Sequence, residues 1–107
     1  MYMLRDMTDS QVREKLEALM TKYNVQDVYI HKWIKHPFDI QGGLDITVDG
    51  NFNDFLEDVC ITFSDYDDDI CTAAGPLPSV GNPIRERILQ NMRLLYKDGK
   101  FVCQQER

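Results

Sequence analysis

The chain has 107 residues, 43% of them hydrophobic, and its 18 acidic against 12 basic residues give a formal net charge of -6. This length predicts one globular domain over residues 1–107, because domains typically run to about 100–150 residues. The negative charge excludes the basic footprint of a direct nucleic-acid binder, and no apolar run reaches the roughly 18–20 residues of a membrane span.

Residues 8–24 have the pattern of a capped amphipathic helix. Thr8 and Gln11 have the spacing of a capping box, in which the hydroxyl and the amide bind the first free backbone N–H groups. One apolar stripe with intervals of three and four residues follows: Val12, Leu16, Leu19, Met20 and Tyr23. Asn24 is a typical stop signal. The pattern predicts a first helix of about four turns.

Three later segments alternate between apolar and polar residues and predict strands. The first covers residues 25–36 and ends at Pro37, since proline cannot donate to a ladder. The second covers residues 44–49, after a turn at Gly42–Gly43. The third covers residues 59–64, whereas residues 53–58 fit either a helical turn or an extended lead-in to that strand.

The last third of the chain predicts a long loop and a second helix. Residues 65–83 contain the acidic run and several Pro and Gly residues, which indicates a loop. Asn82 and Pro83 suit the N-cap and first position of a helix. The stripe Ile84, Ile88, Met92 and Leu95 predicts that this helix continues until Gly99. Residues 101–103 predict a last short strand.

We therefore expect an α+β fold with an N-terminal helix, a three- to four-stranded antiparallel meander, a long acidic loop, a C-terminal helix and a last short strand. The predicted strands are joined by segments too short for parallel crossovers, which need a dozen or more residues. Both helices are expected on one face of the sheet.

The distribution of charge is the most informative feature of the sequence. Between Lys35 and Arg85 there are ten acidic residues and no Lys or Arg, so all twelve basic residues lie in the flanks. Unpaired carboxylates repel one another, and a basic partner surface would relieve that repulsion and be steered toward it. Basic surfaces of this kind most often bind nucleic acid.

The charge map predicts a small non-enzymatic protein that binds the basic, DNA- or RNA-binding surface of another protein. Such a nucleic-acid mimic would be an inhibitor, with the profile of a phage- or plasmid-encoded anti-defence protein. We also expect Trp33 to contact the partner, because Trp and Tyr are enriched at binding hot spots. The expected partner-binding residues are Trp33, Asp45, Asp49, Asp54, Glu57, Asp58, Asp65, Tyr66, Asp67, Asp68 and Asp69.

Three alternatives stay open. The basic residues of the last helix could fold back over the acidic segment, or could meet it in a homodimer. Asp65, Asp67 and Asp69 match the first ligand positions of an EF-hand loop, but Ile70 and Pro76 break the match, which leaves a divalent-cation site of another kind. No cofactor is expected.

The three cysteines are odd in number and widely spaced, which favours a reducing compartment. Since residues 1–6 also lack the build of a signal peptide, we expect a cytoplasmic protein. Cys60 and Cys103 fit small core residues. A thiol enzyme that pairs a cysteine with His31 or His36 is the remaining catalytic alternative.

Overall fold

The computed structural model describes residues 8–34, 36–39, 43–64 and 71–102. The chain forms an α+β fold with a mixed five-stranded sheet in the order β3-β2-β1-β4-β5. The elements are α1 (Asp9–Tyr23), β1 (Asp27–His31), β2 (Gly43–Asp49), α2 (Asn53–Ser64), β3 (Cys71–Pro76), α3 (Pro83–Gln90), β4 (Met92–Lys97) and β5 (Lys100–Phe101). The α+β class is confirmed.

The first helix has the predicted ends and the predicted apolar face. Thr8 and Gln11 form the reciprocal capping box, and Asn24 ends the helix in the left-handed conformation. Four of the five residues of the stripe are buried and Tyr23 is half-buried. This face covers the sheet as part of the main core.

The sheet is mixed, so the prediction of an antiparallel meander is wrong. β1 pairs antiparallel with β2 and β4, and β4 with β5, but β2 and β3 are parallel. α2 forms the crossover between β2 and β3, which supplies the length that a parallel connection needs. β3 lies in the segment that was predicted as loop.

The third predicted strand, residues 59–64, is the second half of α2. Phe55, Leu56, Val59 and Phe63 are all buried, and their spacing gives one face of a helix. The alternation that suggested a strand includes β-branched residues such as Ile61, which favour strands. Here the packing of the buried residues outweighs that preference. Burial of two phenylalanines against the sheet and α1 favours the helix.

The last predicted helix is shorter than its stripe suggested. Asn82 caps α3 and Pro83 occupies its first turn, as predicted, but the helix ends at Gln90. Met92 and Leu95 belong to β4, where both are buried. Asp98 and Gly99 both have positive φ and join β4 to β5, so this pair forms a hairpin turn instead of a helix end.

The two faces of the sheet have different coverings. Leu44, Ile46 and Val48 of β2 face the core beneath α1 and α2, whereas Asp45 and Asp49 face the other side, which α3 reaches. Of the helices in the described ranges, none combines the length and the apolar character that crossing a membrane requires.

Candidate protein interface

The acidic residues of β2 and α2 lie on two sides of the sheet. Asp45 and Asp49 project from β2 away from the main core. Asp54, Glu57 and Asp58 belong to α2, which covers the core face. The remaining expected binding residues, Asp65, Tyr66, Asp67, Asp68 and Asp69, lie outside the described residues.

Asp49 is neutralised within the fold. The two terminal nitrogens of Arg85 lie 3.3 and 3.0 Å from its two carboxylate oxygens, and Nη1 also donates to the carbonyl oxygen of Pro78 at 2.8 Å. Only 15% of the Arg85 side chain is exposed, and the bonds to Asp49 raise the pKa of its guanidinium. Since the planar guanidinium matches both oxygens, this is a strong form of ion pair.

Asp49 lies in a row of charged residues across the sheet. Asp27 of β1 lies opposite Asp49 in one ladder and opposite Lys97 of β4 in the other. Arg85 of α3 reaches the same face and binds the carboxylate of Asp49. Asp49 is therefore not an unpaired acidic group.

Asp58 is likewise paired, through a contact that joins α2 to α1. The hydroxyl of Tyr23 donates to its carboxylate at 2.7 Å, and Lys22 Nζ lies 3.3 Å from the same oxygen. These two bonds hold the pKa of Asp58 below its usual value, and the bond from Tyr23 has the larger effect. The same bond raises the pKa of Tyr23, because ionisation would remove the donated proton.

Asp54 and Glu57 differ from these two carboxylates. Both are exposed on α2, and within the described residues neither forms an ion pair. Ile61 follows one turn after Glu57 on the same side of the helix, with 52% of its surface exposed. We call Asp54, Glu57 and Ile61 the outer stripe of α2. No basic residue occurs between Asn53 and Ser64.

Trp33 lies on the opposite face of the sheet, beyond the end of β1. Its ring covers Gly43, where an added Cβ would overlap the ring carbons, and 52% of the residue stays exposed. Its backbone N–H donates to Nδ1 of His31 at 3.2 Å. Asp45 is half-buried on the same face of β2. Trp33 and Asp45 therefore belong to a different surface from the outer stripe of α2.

A cleft of about 330 Å³ opens beside the N-terminal end of the outer stripe of α2. The loop before α2 shapes it, because Gly50 has a φ of 122° and the ring of Phe52 folds back against it. The described residues that line the cleft are Tyr23, Asn51, Phe52, Asn53, Asp54 and Phe55. The cleft combines aromatic rings with two amides and one carboxylate.

The residues considered for metal or thiol chemistry are dispersed. Cys60 is a free, half-buried thiol on α2, His31 lies on β1, and His36 is exposed. Cys103 and the run from Asp65 to Asp69 fall outside the described ranges. Among residues 8–34, 36–39, 43–64 and 71–102, no group of three or more His, Cys, Asp or Glu side chains is placed to hold a metal ion.

Sequence reasoning missed Ile61, Tyr23 and Phe52 as surface-forming residues. Ile61 was assigned to a strand, although a helical reading of Phe55, Val59 and Phe63 places it on the opposite, exposed side. The cleft depends on contacts between α1 and α2 that no local pattern reports. Comparison of the chain with protein-family models, curated proteins and solved structures finds no match.

Proposed function

We propose that this chain is a non-enzymatic protein-binding module whose outer stripe of α2 binds a basic surface of another protein. The observation that carries the proposal is the combination of two exposed carboxylates, which form no ion pair with any residue that the structure describes, with a half-exposed isoleucine on a helix that has no basic residue. Asp49 and Asp58 serve the fold, because Arg85, Tyr23 and Lys22 already bind them.

The two kinds of residue in the outer stripe of α2 have complementary effects on association. Asp54 and Glu57 would steer a basic partner and raise the association rate, which falls as salt screens the charges. Ile61 would supply apolar area that becomes buried on contact, a term that salt does not screen. The complex should therefore weaken at high salt without disappearing entirely.

The class of partner follows from the sign and density of the charge. Basic grooves on proteins are most often binding sites for nucleic-acid phosphates. The sequence adds four aspartates between residues 65 and 69, directly after α2. We therefore propose that the module is a nucleic-acid mimic that occupies the DNA- or RNA-binding surface of another protein. It would inhibit that protein, as an anti-defence protein would.

A competition experiment tests this function. The tagged protein is incubated with lysate of its native host at about 50 and 300 mM salt, a range over which phosphate-type contacts weaken strongly, and captured proteins are identified by mass spectrometry. A captured nucleic-acid-binding protein should be released by high salt and also by added duplex DNA or RNA.

Two results would contradict the proposal. Captured proteins that nucleic acid does not displace would exclude the mimic. If only further copies of the same chain are captured at both salt concentrations, the result would favour the homodimer over a partner-binding module. Light scattering would then give the mass of the homodimer.

A further inference from the structure

The cleft at the N-terminal end of the outer stripe of α2 has the dimensions of a pocket for a single side chain. Its volume of about 330 Å³ lies at the lower end of the roughly 300–1,000 Å³ of small-molecule sites. Tyr23, Phe52 and Asp54 are among the residues that line it, so aromatic side chains and a carboxylate lie around one open cleft. Clefts at an interface are where hot-spot residues of a partner insert.

The chemistry of the lining suits a planar cation. The carboxylate of Asp54 and the amide oxygens of Asn51 and Asn53 accept hydrogen bonds, and aromatic faces attract a cation. A guanidinium offers five N–H donors in a plane together with a flat surface that stacks on rings. An ammonium satisfies the charge but not the stacking, so arginine fits this lining better than lysine.

The contact between α1 and α2 at Tyr23 already holds a cation of this chain. The ammonium of Lys22 lies 5.1 Å from the ring centroid of Tyr23 and 3.3 Å from the carboxylate of Asp58. Asp54 precedes Asp58 by four residues, so it occupies the corresponding position one helical turn earlier. The contacts of Lys22 show how an aromatic ring and an α2 carboxylate together hold a positive group.

The N-terminus of α2 opposes the binding of a cation in the cleft. A helix N-terminus carries partial positive charge and favours anions. Asp54 lies in the first turn and offsets that charge. Because phosphate is the anion that helix N-termini commonly bind, it is the competing ligand in the experiment below.

We infer that the cleft formed by Tyr23, Phe52 and Asp54 binds the guanidinium of an arginine side chain of the partner protein. This inference rests on the proposed function and identifies the residue type that anchors the complex. The basic grooves proposed as partners carry exposed arginines, because arginine is the residue that binds phosphate with two parallel hydrogen bonds.

A ligand pair of nearly equal size and shape, one charged and one neutral, tests the inference. N-acetyl-arginine amide and its neutral citrulline counterpart are titrated into the isotope-labelled protein, and backbone amide shifts are followed by NMR. The arginine compound should shift the signals of Asn51, Asn53 and Asp54 with saturation, and the citrulline compound should bind at least about tenfold more weakly, the loss expected when a charge-assisted bond is replaced by a neutral one.

Two variants locate the binding. Asp54→Asn removes the carboxylate inside the cleft and should weaken arginine binding by a similar factor, whereas Glu57→Gln, an equal change in charge outside the cleft, should not. Phe52→Leu should also weaken it, and the amide spectrum of each variant reports whether it is folded. Equal effects of Asp54→Asn and Glu57→Gln, or equal binding of arginine and citrulline compounds, would overturn the inference, as would saturable shifts with phosphate alone.

This result is separable from the test of the proposed function. If the arginine compound does not bind while salt and nucleic acid still release a captured partner, the inference about the cleft is wrong and the proposed function stands. If the arginine compound binds but no partner is displaced by nucleic acid, the nucleic-acid mimic fails and the cleft remains an arginine site.

Discussion

Arg85 binds both carboxylate oxygens of Asp49 across 36 residues of sequence. One residue belongs to the acidic middle of the chain and the other to its basic last quarter. The fold therefore cancels part of its own charge segregation, whereas Asp54 and Glu57 of α2 form no ion pair with the residues that the structure describes.

Removal of the guanidinium of Arg85 should destabilise the fold. In Arg85→Gln, Asp49 would lie opposite Asp27 without the guanidinium that binds its carboxylate, and like charges directly opposite are unfavourable. The midpoint of urea unfolding should fall. The exposed Arg87 of the same helix provides the control, since Arg87→Gln removes the same charge and should leave the midpoint nearly unchanged.

A double-mutant cycle distinguishes the ion pair from a general effect of charge. Asp49→Asn together with Arg85→Gln should recover part of the stability that Arg85→Gln alone loses, because no unpaired carboxylate remains. Strictly additive losses would show that Arg85 and Asp49 do not interact as the structure indicates.

Asp58 should make stability depend on acid. Its pKa in the folded protein is below its usual value of 3.8, so its bonds to Tyr23 and Lys22 stabilise the fold above that pH and are lost as pH falls through the lowered pKa. Urea unfolding at pH 6 should show Asp58→Asn to be less stable than the wild type, and this difference should decrease as the pH is lowered from 6 to 2.5.

Tyr23→Phe gives an independent check of the same contact. Without the phenol, Asp58 loses the bond that lowers its pKa most, so the acid dependence should weaken although every charge is retained. A difference between the wild type and Asp58→Asn that stays constant from pH 6 to pH 2.5 would contradict this explanation.

The contact between Trp33 and Gly43 predicts that a methyl group at Gly43 displaces the indole ring. A Cβ there would overlap the ring carbons, and because 52% of Trp33 is exposed, the ring should move away in Gly43→Ala at a cost of no more than about 1 kcal/mol in the free energy of unfolding. Because Trp33 is the only tryptophan, its fluorescence reports the displacement.

Gly75 provides the matched control on the neighbouring strand. A Cβ there would meet no atom within 4 Å, so Gly75→Ala should change stability by less than about 1 kcal/mol and leave the emission spectrum as it is. Identical emission spectra for Gly43→Ala and the wild type would refute the packing of the ring on Gly43.

Capping residues and apolar stripes made several elements predictable. Thr8, Gln11 and Asn24 delimit α1 through bonds within a few residues, and Asn82 starts α3 in the same way. The alternation of Leu44, Ile46 and Val48 identified β2 because these apolar residues fill the main core, whereas polar residues occupy the other face of the strand. These signals are local, so no tertiary contact is needed to read them.

The errors arose where tertiary contacts decide the structure. Val59, Ile61 and Phe63 alternate like a strand, but Phe55 and Leu56 complete a helical face that packs on the sheet. β3 consists largely of small residues and has no alternating pattern of its own; pairing with β2 defines it. The cleft and the neutralisation of Asp49 depend on residues distant in sequence, which composition cannot bring together.

Charge reversal on the outer stripe of α2 tests the proposed interface most directly. Asp54→Lys with Glu57→Lys is compared with Glu14→Lys and Glu17→Lys, an equal change on exposed positions of α1. Binding to the captured partner is measured by surface plasmon resonance at low salt. We predict a loss of at least about tenfold in affinity for the α2 variant, mostly in the association rate, and a much smaller loss for the α1 variant. Equal losses for the two variants would show that only net charge matters and would contradict the assignment of the interface to α2.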